Sequence, residues 1–173
     1  MTGFLAVAAA PVFAKAPGLV RDAGDIRRIR MYNQRTGEAV DTVYWIEGEY
    51  IPEAMSEISF FMRDWRENQL KPIDPRAIDV LAAAHNRMET SEPYQLISGY
   101  RSKVTNDMLR RTRRGVASNS YHIKAMAADV RLRSRSVRQM FAAAKSCEAG
   151  GVGRYSRANF VHMDCGPVRT WGR

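Results

Sequence analysis

Residues 120–129 read Ser120-Tyr121-His122-Ile123-Lys124-Ala125-Met126-Ala127-Ala128-Asp129, and residues 160–164 read Phe160-Val161-His162-Met163-Asp164. The chain has 3 histidines, and these two stretches carry two of them. A polar loop from Val116 to Met126 is expected to hold His122. A strand from Ala127 to Leu132 follows it with Asp129, and a last strand from Asn159 to Met163 holds His162. A loop running into a strand can bring His122 and Asp129 to one end of a sheet, with His162 on a neighbouring strand. Two imidazoles and one carboxylate are a complete protein ligand set for a catalytic zinc, with a fourth position open to water. Spacing alone is a weak signal, because a His and an Asp seven residues apart occur together often by chance.

Outward from these segments, the pattern is that of an α+β protein. Ile26 to Asn33 and Ala39 to Trp45 alternate around the turn Arg35-Thr36-Gly37-Glu38 and predict a hairpin. Met55, Ile58, Phe61, Met62 and Trp65 recur at helical spacing over Pro52 to Trp65. Asp74-Pro75 reads as the N-cap and first residue of a second helix, with His85 on its buried face. Tyr94 to Ser98 is a short strand, Lys103 to Arg114 and Ser134 to Ser146 are helices, and Gly150-Gly151-Val152-Gly153 turns into another strand. The expected architecture is a mainly antiparallel sheet flanked by helices.

The 173 residues fit one domain, and the formal charge of +9 favours polyanionic partners: nucleic acid, anionic lipid or anionic cell-wall polymer. Arginines cluster at Arg110, Arg111, Arg113 and Arg114 and again at Arg131, Arg133, Arg135 and Arg138, a pattern that also fits a solvated helix face. No nucleic-acid motif accompanies them, so nucleic acid is not expected as a partner. Residues 1–14 (MTGFLAVAAAPVFA) resemble the apolar region and small-residue cleavage site of a secretory signal that lacks its basic start; a short buried helix is the alternative. The apolar stretch is too short to span a bilayer, so no stable membrane insertion is expected. Residues 15–25 read as a linker, and 26–173 as the functional domain. Cys147 and Cys165 fit either one disulfide in an oxidising compartment or two free thiols.

The flanks of the two histidine segments are more specific than their spacing. Ile97-Ser98-Gly99-Tyr100-Arg101-Ser102, then Ser120-x-His122-x-x-Ala125-x-Ala127-x-Asp129, then Phe160-Val161-His162-Met163-Asp164-Cys165-Gly166-Pro167-Val168-Arg169-Thr170-Trp171 occur in that order. This resembles the zinc D-alanyl-D-alanine peptidase group, which shares a fold with the hedgehog signalling domain. Within that group it is most similar to the exported bacterial murein endopeptidases, recognised by SGYRS, SxHxxGxAxD and FVHxDxGxxRxW. The resemblance covers residues 26–171. It implies a hedgehog/DD-peptidase-like fold, one Zn2+ per chain held by His122, Asp129 and His162, and Arg101 beside the metal, where a guanidinium would bind the scissile carbonyl oxygen or a substrate carboxylate. The implied partners are the stem peptides and cross-links of peptidoglycan, and the implied location is the periplasm. The alternatives are a carboxypeptidase acting on stem peptides and a wall-peptide-binding module that does not cut.

Two positions depart from the family pattern. Ala125 stands where the family has Gly, and Ala is accommodated without strain only at negative φ. The wider group places an acidic base three residues before its last histidine ligand, where this chain has Asn159, which cannot take a proton at neutral pH. Asp164 lies two residues after His162 and so shares its strand face. It is expected to act as the base or to orient the zinc-bound water, the alternative being a structural Asp that hydrogen-bonds a ligand or the following turn. Tyr121, Tyr155, Arg169 and Trp171 are candidates for a substrate groove or for core packing.

Overall fold

The computed structural model describes residues 25–113 and 115–172. The expected signal segment, 1–14, lies outside these residues, as does almost all of the 15–25 linker. The elements run β1 (Ile26–Tyr32), β2 (Ala39–Ile46), β3 (Glu49–Tyr50), α1 (Pro52–Phe61), α2 (Pro75–Asn86), β4 (Tyr94–Ser98), α3 (Lys103–Thr112), β5 (Ala127–Arg131), α4 (Val137–Ser146), β6 (Gly151–Tyr155), β7 (Phe160–Asp164) and β8 (Arg169–Gly172).

All eight strands join one sheet in the order β3-β2-β1-β4-β5-β7-β6-β8. The α+β class holds, but the sheet is mixed rather than mainly antiparallel. β1 pairs with β4 in parallel, and β6 pairs with β8 in parallel. The physical reason is the crossovers. α1 and α2 carry the chain from the hairpin back to β4, and β7 intervenes between β6 and β8, so each pair runs in one direction.

Local chemistry sets the helix starts. The Asp74 side chain accepts the backbone N–H of Arg76 at 3.0 Å with Pro75 at the first helical position, so α2 begins where the sequence predicts. Ser136 and Gln139 form a reciprocal capping box, which starts α4 at Val137 rather than Ser134. α1 stops at Phe61 rather than Trp65, and the carbonyl of Met62 instead accepts the N–H of Tyr100 at 2.8 Å.

The core lies between the sheet and the helices. Ile29, Met31, Val40, Ala128, Val130, Val161 and Met163 from the strands meet Ile58, Ile78, Leu81 and Met140 from α1, α2 and α4, all buried in one cluster. The same face of β1 also buries Arg27, whose Nη1 donates to Asp79 Oδ1 at 2.9 Å. Asp79 further accepts from the hydroxyls of Tyr44 and Tyr50, and Trp45 stacks on the guanidinium with its ring centroid 4.1 Å from Cζ. Cys147 and Cys165 are free thiols. His85, as expected, serves α2: its Nε2 donates to the Glu92 carbonyl at 2.7 Å, and its ring meets Tyr94 edge-on.

Candidate metal centre

The site is a row of residues at one level across five strands. Ser98 on β4 pairs with Asp129 on β5, Asp129 with His162 on β7, His162 with Gly153 on β6, and Gly153 with Trp171 on β8. A register shift between Leu96 and Ser98 brings Ser98 opposite Asp129, an irregularity of the kind that re-aims a side chain beside a functional site. Strand alternation sends Val130, Val161 and Met163 into the core and leaves Asp129 and His162 on the opposite face. His122 reaches this face from the turn before β5.

His122, Asp129 and His162 are all buried and all meet. His122 Nε2 lies 3.1 Å from Asp129 Oδ1 and 3.1 Å from His162 Nδ1, and His162 Nδ1 lies 2.9 Å from the same Asp129 oxygen. The far ring nitrogens fix the tautomers. His122 Nδ1 donates to the Gly99 carbonyl at 2.7 Å, and His162 Nε2 donates to Asp164 Oδ2 at 2.9 Å. Two nitrogen lone pairs and one carboxylate oxygen therefore face one another. Three acceptors at such distances repel unless a cation lies between them. A tetrahedral zinc with bonds of about 2.0–2.1 Å separates its ligand atoms by about 3.3 Å, close to the spacing of this triangle, so the donor set fits the metal that the sequence implies.

The electrostatics of His122 and Asp129 agree with that donor set, whereas His162 is held towards its protonated form by its two carboxylate partners. Burial drives the His122 imidazole down, towards the neutral form that a metal requires, against the pull of Asp129. Burial also pushes Asp129 up, but His122 and the Arg101 guanidinium outweigh it and hold the carboxyl well below its usual range. For His162 burial lowers the pKa, and hydrogen bonds to Asp129 and Asp164 outweigh it and raise the imidazole.

Arg101 stands beside the cluster. Its Nη2 donates to Asp129 Oδ2, its Nε to Ser98 Oγ at 2.8 Å, and its backbone N–H to the His122 carbonyl at 3.2 Å. Asp129 thus turns one oxygen to the histidines and the other to Arg101. Nη1 of Arg101 donates to no protein acceptor among the described residues, and Arg101 lines the cleft.

Asp164 sits behind His162 rather than on the cleft. It is fully buried and accepts from His162 Nε2, from the backbone N–H of Gly151 at 3.2 Å and of Gly166 at 2.9 Å, and from Arg169 through Nη1 at 3.0 Å and Nη2 at 2.7 Å. Burial raises its pKa, but His162 and Arg169 overcome this and hold it far below the ordinary carboxylate range. Asn159 is also turned away. It takes φ +54° in the β6–β7 turn, so the strand runs one residue later than expected, from Phe160 to Asp164, and Asn159 lines a different pocket with Gln95 and Arg131.

The cluster opens into a cleft of about 540 Å3. Tyr121, Tyr155, Phe160, Arg169 and Trp171 all line it. Trp171 donates to the Tyr155 hydroxyl at 3.0 Å, and its ring centroid lies 5.2 Å from that of His162. Gly153 permits this approach, since a Cβ there would lie 2.5 Å from the indole. Sequence reasoning gave no role to Gly99, which stands inside the quoted Ser98–Ser102 motif. It read Gly151 and Gly153 as part of a turn, whereas both lie within β6.

Comparison with known proteins agrees with the geometry. The family model for peptidoglycan L,D-endopeptidase MepK matches residues 21–171. Peptidoglycan L,D-endopeptidase MepK of Escherichia coli (strain K12) is 43% identical over 145 residues, covering 84% of this chain and 80% of the relative. The protein of the same name from Shigella flexneri matches equally, and the probable peptidoglycan L,D-endopeptidase MepK of Haemophilus influenzae is 37% identical over 146 residues, covering 84% of this chain and 78% of its own.

Proposed function

This chain belongs to the peptidoglycan L,D-endopeptidase MepK family, and from that premise we propose that it hydrolyses peptide cross-links of peptidoglycan with one zinc ion held by His122 Nε2, His162 Nδ1 and Asp129 Oδ1. The bond cut would be of the L,D type named for the relatives, within a hedgehog/DD-peptidase-like fold. The observation that carries the proposal is the convergence of two tautomer-locked imidazole lone pairs and one carboxylate oxygen at 2.9–3.1 Å.

When bound, zinc supplies a Lewis-acid centre that polarises a carbonyl and makes a water acidic enough to attack it near neutral pH. The protein's own groups do the rest. Arg101, held in place by Asp129 and Ser98, presents Nη1 to the carbonyl oxygen as it gains negative charge. Gly99 and Asp164 keep the two imidazoles in the tautomers that leave the inward nitrogens free. Asp164, with five hydrogen bonds already accepted, would act as a positioning residue for His162, the structural alternative to the base or water-orienting role expected from the sequence. The aromatic wall of Tyr155, Phe160 and Trp171 would hold the substrate chain over the cluster.

Export and a periplasmic location would follow from the substrate, which lies outside the cytoplasmic membrane, with residues 1–14 as a signal segment, 15–25 as linker and 26–173 as the peptidase domain. Among the described residues no helix is long and apolar enough to cross a membrane.

Cross-linked muropeptides incubated with zinc-loaded protein should yield monomers, and chelation should stop the reaction. His122→Ala and His162→Ala should each lose bound zinc by elemental analysis. Arg101→Ala should keep its zinc while kcat falls by about 10²–10³. Intact muropeptides after incubation with zinc-loaded wild type would remove the endopeptidase assignment, and full zinc content in either histidine variant would remove the ligand assignment.

A further inference from the structure

The cleft contains positive charge that the surrounding protein leaves unanswered. Arg35, Arg66 and Arg113 line it together with Arg101. They arrive from three places: the β1–β2 turn, the segment after α1, and the C-cap of α3. Arg66 and Arg35 both rest on Trp65, with Cζ 4.3 Å and 5.4 Å from ring centroids. Among the described residues none of the three guanidiniums donates a hydrogen bond to a protein acceptor or joins an ion pair. The neighbouring acids are occupied. Asp64 accepts the backbone N–H groups of Ser102 at 2.8 Å and Arg66 at 3.1 Å. Glu38, in the same turn as Arg35, is gripped by Arg63 through two bonds of 2.9 and 3.1 Å. Burial and the charges of Arg35, Arg113 and Arg101 lower the Arg66 pKa against the pull of Asp64, which marks the four as close neighbours.

Guanidiniums that outnumber the carboxylates beside them, here Asp64 alone, repel one another, and a planar anion that accepts from several of them relieves that repulsion. We propose that Arg35, Arg66 and Arg113 form an anion subsite that takes a carboxylate of the peptide substrate, at a distance from the bond being cut. This rests on the assignment of the cleft to peptidoglycan peptides. The carboxylate has two possible sources, the chain terminus of a stem peptide or a side chain within it. In either case the subsite fixes which way round the peptide lies over the cluster, so these arginines select substrate while Arg101 serves the reaction.

The test uses full-length zinc-loaded protein and cross-linked muropeptides in three forms: free acid, terminal carboxylates amidated, and side-chain carboxylates amidated. For the free acid, Arg66→Ala should raise KM about tenfold, the equivalent of one lost contact of about 1.4 kcal/mol, with kcat changed less than about twofold. Arg66→Lys should recover part of the loss. One amidated form should bind wild type as weakly as Arg66→Ala binds the free acid, with no further loss on substitution; which form does so identifies the source. Arg35→Ala and Arg113→Ala, both at exposed positions, should act in the same direction, and thermal melts should show all variants folded. Equal KM for all three substrates in wild type, or an unchanged free-acid KM in all three alanine variants, would overturn the subsite. Calorimetric binding of the free-acid muropeptide in chelator separates the two assignments. Arginine-dependent binding without turnover would sink the peptidase assignment and keep the subsite, whereas turnover without arginine dependence would do the reverse.

Discussion

At the scale of single residues, Ala125 shows how opposing small terms balance. It is fully buried with φ +58°, so the family's Gly position does require the left-handed region. A Cβ there costs about 1–2 kcal/mol. Glycine would remove that strain, but it would add about 0.5–1 kcal/mol of unfolded-state entropy and give up one buried methyl, about 0.8 kcal/mol. Ala125→Gly should therefore change stability by less than about 1 kcal/mol, as read from urea midpoints at constant slope. A shift of several kcal/mol either way would mean that the loop rearranges. Its backbone N–H donates to the His122 carbonyl at 3.1 Å, so the strained residue braces the turn that delivers His122. The meeting of His122, Asp129, His162 and Arg101 was legible because each has a chemically unusual residue type inside a specific run of neighbours. The place of Asp164 was not. Strand alternation put it correctly on the His162 face, but only the fold shows Gly151, Gly166 and Arg169 closing around it.

At the scale of elements, most helices and strands announced themselves by period and cap. α2 and α4 are set by side chains within four residues of their starts, and β5 and β7 by their apolar runs. β3 and β8 escaped, because strands of two and four residues have too little pattern and are held by their partners. The parallel pairings escaped for a related reason: direction is set by the route of the whole chain. Arg27 escaped as well, since charge in a strand reads as solvent-facing until Asp79, 52 residues later, supplies its partner. That buried pair makes a sharp prediction. Asp79→Ala leaves Arg27 buried and uncompensated and should destabilise by about 3–5 kcal/mol, while the double replacement Arg27→Met/Asp79→Leu should cost far less. Denaturant unfolding of both variants decides the matter, and equal losses would show that the pair is not coupled.

At the scale of the whole molecule, the metal and the fold have separate foundations. The apolar cluster joining the sheet to α1, α2 and α4 takes Val130, Val161 and Met163 from the face of β5 and β7 opposite to Asp129 and His162, so chelated protein should remain folded. A ligand that binds only the native state at 100 times its dissociation constant adds about 2.7 kcal/mol. For a domain of this size that corresponds to a melting-temperature rise of about 5–11 °C. Calorimetric scans with and without zinc should show that rise in wild type and its absence in His122→Ala. An unfolded chelated protein would instead place the metal among the determinants of the fold.

The row from Ser98 to Trp171 carries a further consequence, in the order of events during folding. Asp129 and His162 are 33 residues apart in the chain, and His122 and His162 are 40 apart. They become neighbours only when β5 and β7 pair in register, and long-range pairings of this kind form late because loop closure precedes their reward. An ion bound there would be captured by a sheet that already exists, as the last event on the pathway and not its nucleus. In stopped-flow refolding, the rate of sheet formation should be independent of zinc concentration, and the metal should slow only the reverse reaction, unfolding.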